Sequence, residues 1–195
     1  MLGQARHLLA HAEIAESCLV ELFCGATSSL FSTFIILLAI QQAGLSQDRA
    51  VSLVMVQGVV LVLGLFSLGA HVQRSGLRGT YLQGLGLAVF GLALVGSGHS
   101  YLAYALGGAS LSLAMALLHL LNMGQLAAQA QDKSRISGLF NLAGLLGSCS
   151  GALLGGAVAQ WIGLGNLFLA WIPLLLLAAL GCRLRRGASD PLPEG

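Results

Sequence analysis

Eight polar side chains interrupt the long apolar runs of this sequence: Glu21, Thr27, Ser28, Ser29, Gln57, His119, Asn122 and Asn141. Polar groups in apolar surroundings are costly, so each is a solute contact, a proton-transfer group or half of an interhelical hydrogen bond worth ~0.6 kcal/mol on average. Ser110 and His119 invite a test for serine nucleophile chemistry, which needs a histidine base within hydrogen-bond reach. Nine residues on one helix separate them by ~13 Å along the axis, and no histidine follows His119, so an intramembrane serine protease is disfavoured and no catalytic residue is assigned. His7 and His11 are spaced i, i+4, but no third ligand stands at metal-like spacing, and a solvated turn is the plainer reading. Cys18, Cys24, Cys149 and Cys182 form no C-x-x-C pair and read as small core residues. With no phosphate-binding Gly-x4-Gly-Lys-Ser/Thr sequence either, no metal and no cofactor are expected.

The elements that carry these residues follow from composition. Of 195 residues, 56% are hydrophobic and 8% charged, with a mean hydropathy of +0.86. A soluble domain has ~25% charged residues, so a water-soluble globule is excluded. At ~20 apolar residues per crossing, six helices use ~120 residues, and twelve do not fit. The apolar runs predict an all-α polytopic membrane protein with six transmembrane helices, at roughly 18–43, 50–72, 80–97, 100–122, 136–160 and 164–182. Residues 1–17 form a cytoplasmic lead-in, 18–186 the bundle and 187–195 a polar tail expected to be disordered. The first run is too long for a signal-peptide core and is expected to stay in the protein. The links are short, so neighbouring helices run antiparallel.

Charge placement orients the bundle. Arg6, Arg74, Arg78, Lys133, Arg135, Arg183, Arg185 and Arg186 fall on one side and Arg49 alone on the other, which puts both termini in the cytoplasm of an inner (plasma) membrane. Tyr101, Tyr104 and Trp161 are then expected at the outer interface and Tyr81 at the inner one. A net charge of +2 without basic-aromatic runs gives no nucleic-acid partner; the bilayer is the first partner.

Two motifs are ordered along this frame. After the second helix the sequence reads Gly69-Ala70-His71-Val72-Gln73-Arg74-Ser75-Gly76-Leu77-Arg78. On the fifth helix Gly138, Gly147, Gly151-Ala152 and Gly155-Gly156 occur, and Gly147, Gly151 and Gly155 repeat every four positions, leaving a face on which another backbone can approach. The first segment resembles the Gly-x-x-x-Asp-Arg-x-Gly-Arg-Arg/Lys loop of the major facilitator superfamily, with Gly69, Arg74, Gly76 and Arg78 matching and Gln73 replacing the acidic residue. An amide there can hydrogen-bond but cannot form the charge-assisted latch of the family. The second resembles the fifth-helix motif of facilitator-type antiporters, Gly-x8-Gly-x3-Gly-Pro-x2-Gly-Gly, with Ala152 replacing the proline, so a straighter helix is expected. The resemblance covers residues 18 to 186 in helix count, links and both motifs.

It implies one six-helix half of a two-half transporter. The absence of an arginine from the fourth helix and the degenerate loop make it more like a C-terminal half. The implied function is transport of a small solute by alternating access, with the second half a separate chain or a second copy. Ser28, Phe31, Gln57 and Asn141 become substrate-cavity candidates. His119 and Asn122 are expected at the cytoplasmic interface. Glu21, about one turn into the first helix, is expected to reach that interface too, leaving any proton-coupling site to the partner half. A membrane scaffold that keeps the half fold without transport is the alternative.

Overall fold

A computed structural model describes residues 12–128 and 133–189. His7, His11 and the end of the tail lie outside these residues. Six helices occur in order: α1 Ala12–Ala43, α2 Gln47–Ser67, α3 Gly69–Ser97, α4 Tyr101–Ala128, α5 Lys133–Ile162 and α6 Leu164–Ser189. No strand occurs among the described residues. The first five are long and apolar enough to cross a membrane, whereas the described apolar part of α6 is the shorter Leu164–Leu180.

The lead-in and tail differ from expectation, since α1 already starts at Ala12 and α6 continues to Ser189. A larger difference concerns the second and third helices. Leu68 keeps right-handed dihedrals (φ −88°, ψ −4°), and its N–H donates to the Gly64 carbonyl at 2.9 Å, so the chain stays helical past the end of α2. The reversal is a single residue, Gly76, at φ 65° and ψ 175° inside α3, rather than a loop over 74–79. Across it His71 Nε2 lies 2.8 Å from Gln83 Oε1, and Thr80 Oγ1 donates to the Gly76 carbonyl at 2.8 Å. This backbone region is essentially restricted to glycine. Gly76→Ala is therefore expected to cost ~1–3 kcal/mol, read as a lower melting temperature. Gly69→Ala, whose Cβ would meet nothing within 4 Å, is expected to leave melting unchanged.

The bundle is apolar outside as well as inside, unlike a soluble bundle. Large apolar side chains cover the outside, among them Phe66 (88% exposed), Leu153 (75%) and Met55 (68%). The interior holds Leu30, Phe31, Ile35, Leu53, Leu92 and Phe168, with the Phe31 and Phe168 rings edge to face at 6.4 Å. Tyr104 is fully buried within the bundle, and its hydroxyl has no hydrogen-bond partner among the described residues. Trp161 is exposed, and Tyr101 reaches Ser52 Oγ at 3.0 Å. The most extensive pairings are α1 with α5, α3 with α4, and α2 with α4; α1 also meets α4, and α3 meets α6.

Glycine explains two of these pairings. A Cβ at Gly147 would overlap the Leu22 carbonyl, one at Gly151 the Ala26 carbonyl, and one at Gly25 the Gly144 carbonyl, so the α1 and α5 backbones touch. Between α3 and α4, a Cβ at Gly91 would lie 2.7 Å from the Gly107 carbonyl oxygen, and one at Gly107 2.9 Å from that of Gly91. When lipid removes the hydrophobic drive for helices to associate, such close approach lets dispersion hold them together.

Candidate functional site: a polar seam between α1 and α4

Ser17 and Glu21 stand one turn apart on α1, and His119, Asn122 and Gln125 occur at three-residue spacing on α4. Each set lies on one helix face. The two faces meet. Ser17 Oγ donates to Gln125 Oε1 at 2.7 Å, and Asn122 Nδ2 donates to Glu21 Oε2 at 3.0 Å. His119 Nδ1 lies 3.1 Å from Glu21 Oε1, so each carboxylate oxygen has its own nitrogen partner. Asn122 is buried, and the Glu21 side chain is 16% exposed against 42% for His119.

Glu21 is thus not simply a group reaching for the interface, nor are His119 and Asn122 independent of it. From α5, Gly144 lies against the carboxylate: a Cβ there would be 3.6 Å from Glu21 Cγ. An apolar cavity of about 50 Å³ lies beside the seam, lined by Val20, Phe23, Tyr81, Ala88, Leu118 and Leu175 among others.

Of the cavity candidates, Ser28 and Gln57 meet through Ser32, whereas Asn141 stands apart. Phe31 is core, packed on Phe168 and against Gly108, whose Cβ would lie 2.6 Å from Phe31 Cζ. Gln57 is buried in a second junction, where its Oε1 accepts from Ser32 Oγ at 3.1 Å and its backbone carbonyl accepts from Ser112 Oγ at 2.9 Å. That ties α1, α2 and α4 together. Ser28 is half-buried with its carbonyl accepting from Ser32 Oγ at 2.9 Å, and Asn141 is exposed on α5. Ser110 Oγ donates to the Leu87 carbonyl at 2.8 Å, and so its hydroxyl and His119 have separate partners.

Of the helix-packing motif, Gly147 and Gly151 meet backbone, and Gly155 meets Phe34 with a Cβ distance of 2.7 Å to Cε2. Gly156 has only ordinary contact with Phe34, at 3.8 Å from Cζ, Ala152 is half-buried, and Gly138 faces open space. Gly25, Gly91 and Gly107 act as close-approach glycines outside the motif; their regular spacing is absent, so only the partner helix reveals them. At the reversal, Gln73, Arg74 and Arg78 are exposed, and no described residue forms an ion pair with either arginine.

Fold and site define a helical bundle of the multi-pass membrane type with an ionisable, hydrogen-bonded seam inside it. No protein family, curated protein or solved structure matches the chain.

Proposed function

We propose that this chain is one six-helix half of a facilitator-type secondary transporter that moves a small solute by alternating access. The carrying observation is the pairing of α1 with α5 and of α2 with α4. Exchanging helices one to three for four to six turns one pairing into the other, the pattern that nested three-helix inverted repeats produce. On this reading α1 and α4 are equivalent members of the two repeats, and their seam lies where such transporters place solute and coupling groups. All six helices cross, with α6 extended beyond Leu180 by its following turns. Both termini are cytoplasmic, because Arg74, Arg78 and Arg135 share one end of the bundle and Arg49 stands at the other.

The second half docks on α2 and α5. These are the least covered spans, with 22% of the apolar stretch buried in each against 61% in α4. The partner is a separate chain or a second copy.

Reconstitution in liposomes tests the reading. A Met55→Cys variant is expected to crosslink across the α2 face in membranes, and the protein is expected to show counterflow of at least one solute from a panel of small organic ions and sugars. Arg74→Ala is expected to slow that flux at unchanged insertion, because an exposed cation is lost from the reversal at the cytoplasmic end. Intact insertion with no counterflow of any solute, alone or with the crosslinked partner, would favour a scaffold instead.

A further inference from the structure

We infer that Glu21 and His119 together form a proton-exchange site, and that loss of its proton loosens α1 from α4. The inference deepens the transport reading, on which the role of the proton rests, while the site itself stands on the geometry.

The argument begins with which charges can balance Glu21. From α4 it faces His119 and the neutral amide of Asn122, and from α5 it faces Gly144. On α1 the nearest other ionisable groups are Glu16 and the thiols of Cys18 and Cys24; on α3 Tyr81 lines the neighbouring cavity. On α5 Arg135 is nine residues before Gly144, ~13 Å along the helix. Asp48 and Arg49 stand at the far end of α2, and α6 has no ionisable residue over 164–180. Among the described residues, His119 is accordingly the one group in contact with Glu21 that can neutralise it.

An ionised carboxylate in an apolar seam is strongly disfavoured unless paired and hydrogen-bonded. With one proton shared, as carboxylate with imidazolium or carboxylic acid with imidazole, the pair is neutral and bridges α1 to α4. When that proton leaves to water, the pair becomes a single negative charge held by the Asn122 amide and by neutral hydrogen bonding from His119 in its Nδ1–H tautomer, both weaker than the ion pair. His119, 42% exposed against 16% for Glu21, is the more accessible of the two and so the partner through which the proton would pass. A metal ion fits poorly, because both carboxylate oxygens already face nitrogen partners and the described residues hold no cluster of three or more His, Cys, Asp or Glu.

Infrared difference spectroscopy of the full chain in bilayers, with no solute present, tests the site. The imidazole resonance of labelled His119 is expected to shift with pH as the shared proton leaves, and the Glu21 carboxyl bands to shift in the same step. The carboxyl bands are absent in Glu21→Gln, and each of Glu21→Gln and His119→Gln displaces the midpoint of the remaining partner by about one pH unit or more, as two interacting groups require. Asn141→Ala, on the exposed face, leaves it in place. Glu21 bands that do not change together with the His119 resonance, or a midpoint unmoved in His119→Gln, would overturn the inference. Should Glu21→Gln fail to insert, the His119 variant and resonance still decide. In liposomes, Glu21→Gln is expected to lose uptake driven by a pH gradient while retaining counterflow. A titrating band without any counterflow sinks the transport reading alone; counterflow without a titrating band sinks the proton site alone.

Discussion

Replacing Gly151 by leucine is expected to prevent the bundle from assembling. The new side chain must start where the Ala26 backbone already stands, and neither helix can retreat without opening the neighbouring contacts at Gly147 and Gly25. Overpacking against mobile side chains costs ~1–3 kcal/mol. Here the obstacle is main chain, so a loss beyond ~4 kcal/mol is expected, at the exceptional end for one substitution. Against a total of ~5–15 kcal/mol a loss of that size or greater removes much or all of the stability, read as a lowered melting temperature and loss of the monodisperse peak after extraction. Gly138→Ala on the same helix is the contrast: its Cβ meets nothing within 4 Å, and exchange of glycine for alanine in a helix gains up to ~1 kcal/mol. Wild-type yield and melting for Gly151→Leu would refute the backbone seam.

Phe31→Ala is the second large effect. Its ring is fully buried, stacked edge to face on Phe168 and seated in the notch left by Gly108. Truncating such a ring in a water-soluble core costs ~3–5 kcal/mol, the sum of a transfer term and a cavity term. In lipid the transfer term shrinks because the surroundings are as apolar as the ring, and a loss of about 2 kcal/mol or more remains from the cavity. Phe31→Leu is expected to recover most of it. A cavity-lining solute contact would behave in the opposite way: flux would change and melting would not. Parallel melting and counterflow measurements on both variants separate the two roles.

The glycine repeat on α5 was readable because a four-residue period on one helix is a property of that helix alone. Gly91 and Gly107 carry no such period and become visible only as a pair across α3 and α4. The sequence left Gln57 and Phe31 open between cavity and core, because period places a residue on a face without saying what covers that face. Glu21 and His119 are 98 residues apart, and nothing local in either segment signals the other.

Composition and the spacing of apolar runs by themselves determined a helical, membrane-type chain, the number of helices and the glycine face of α5. Tertiary structure decided that this face meets α1, that the chain reverses at Gly76 alone, and that a carboxylate, an imidazole and an amide close on one another between α1 and α4. The physical reason lies in the solvent. Water forces a helix to show one polar and one apolar side, which orients it from sequence. Helices that are apolar nearly all round carry no such compass, so their rotation and partners follow from close packing and a few hydrogen bonds.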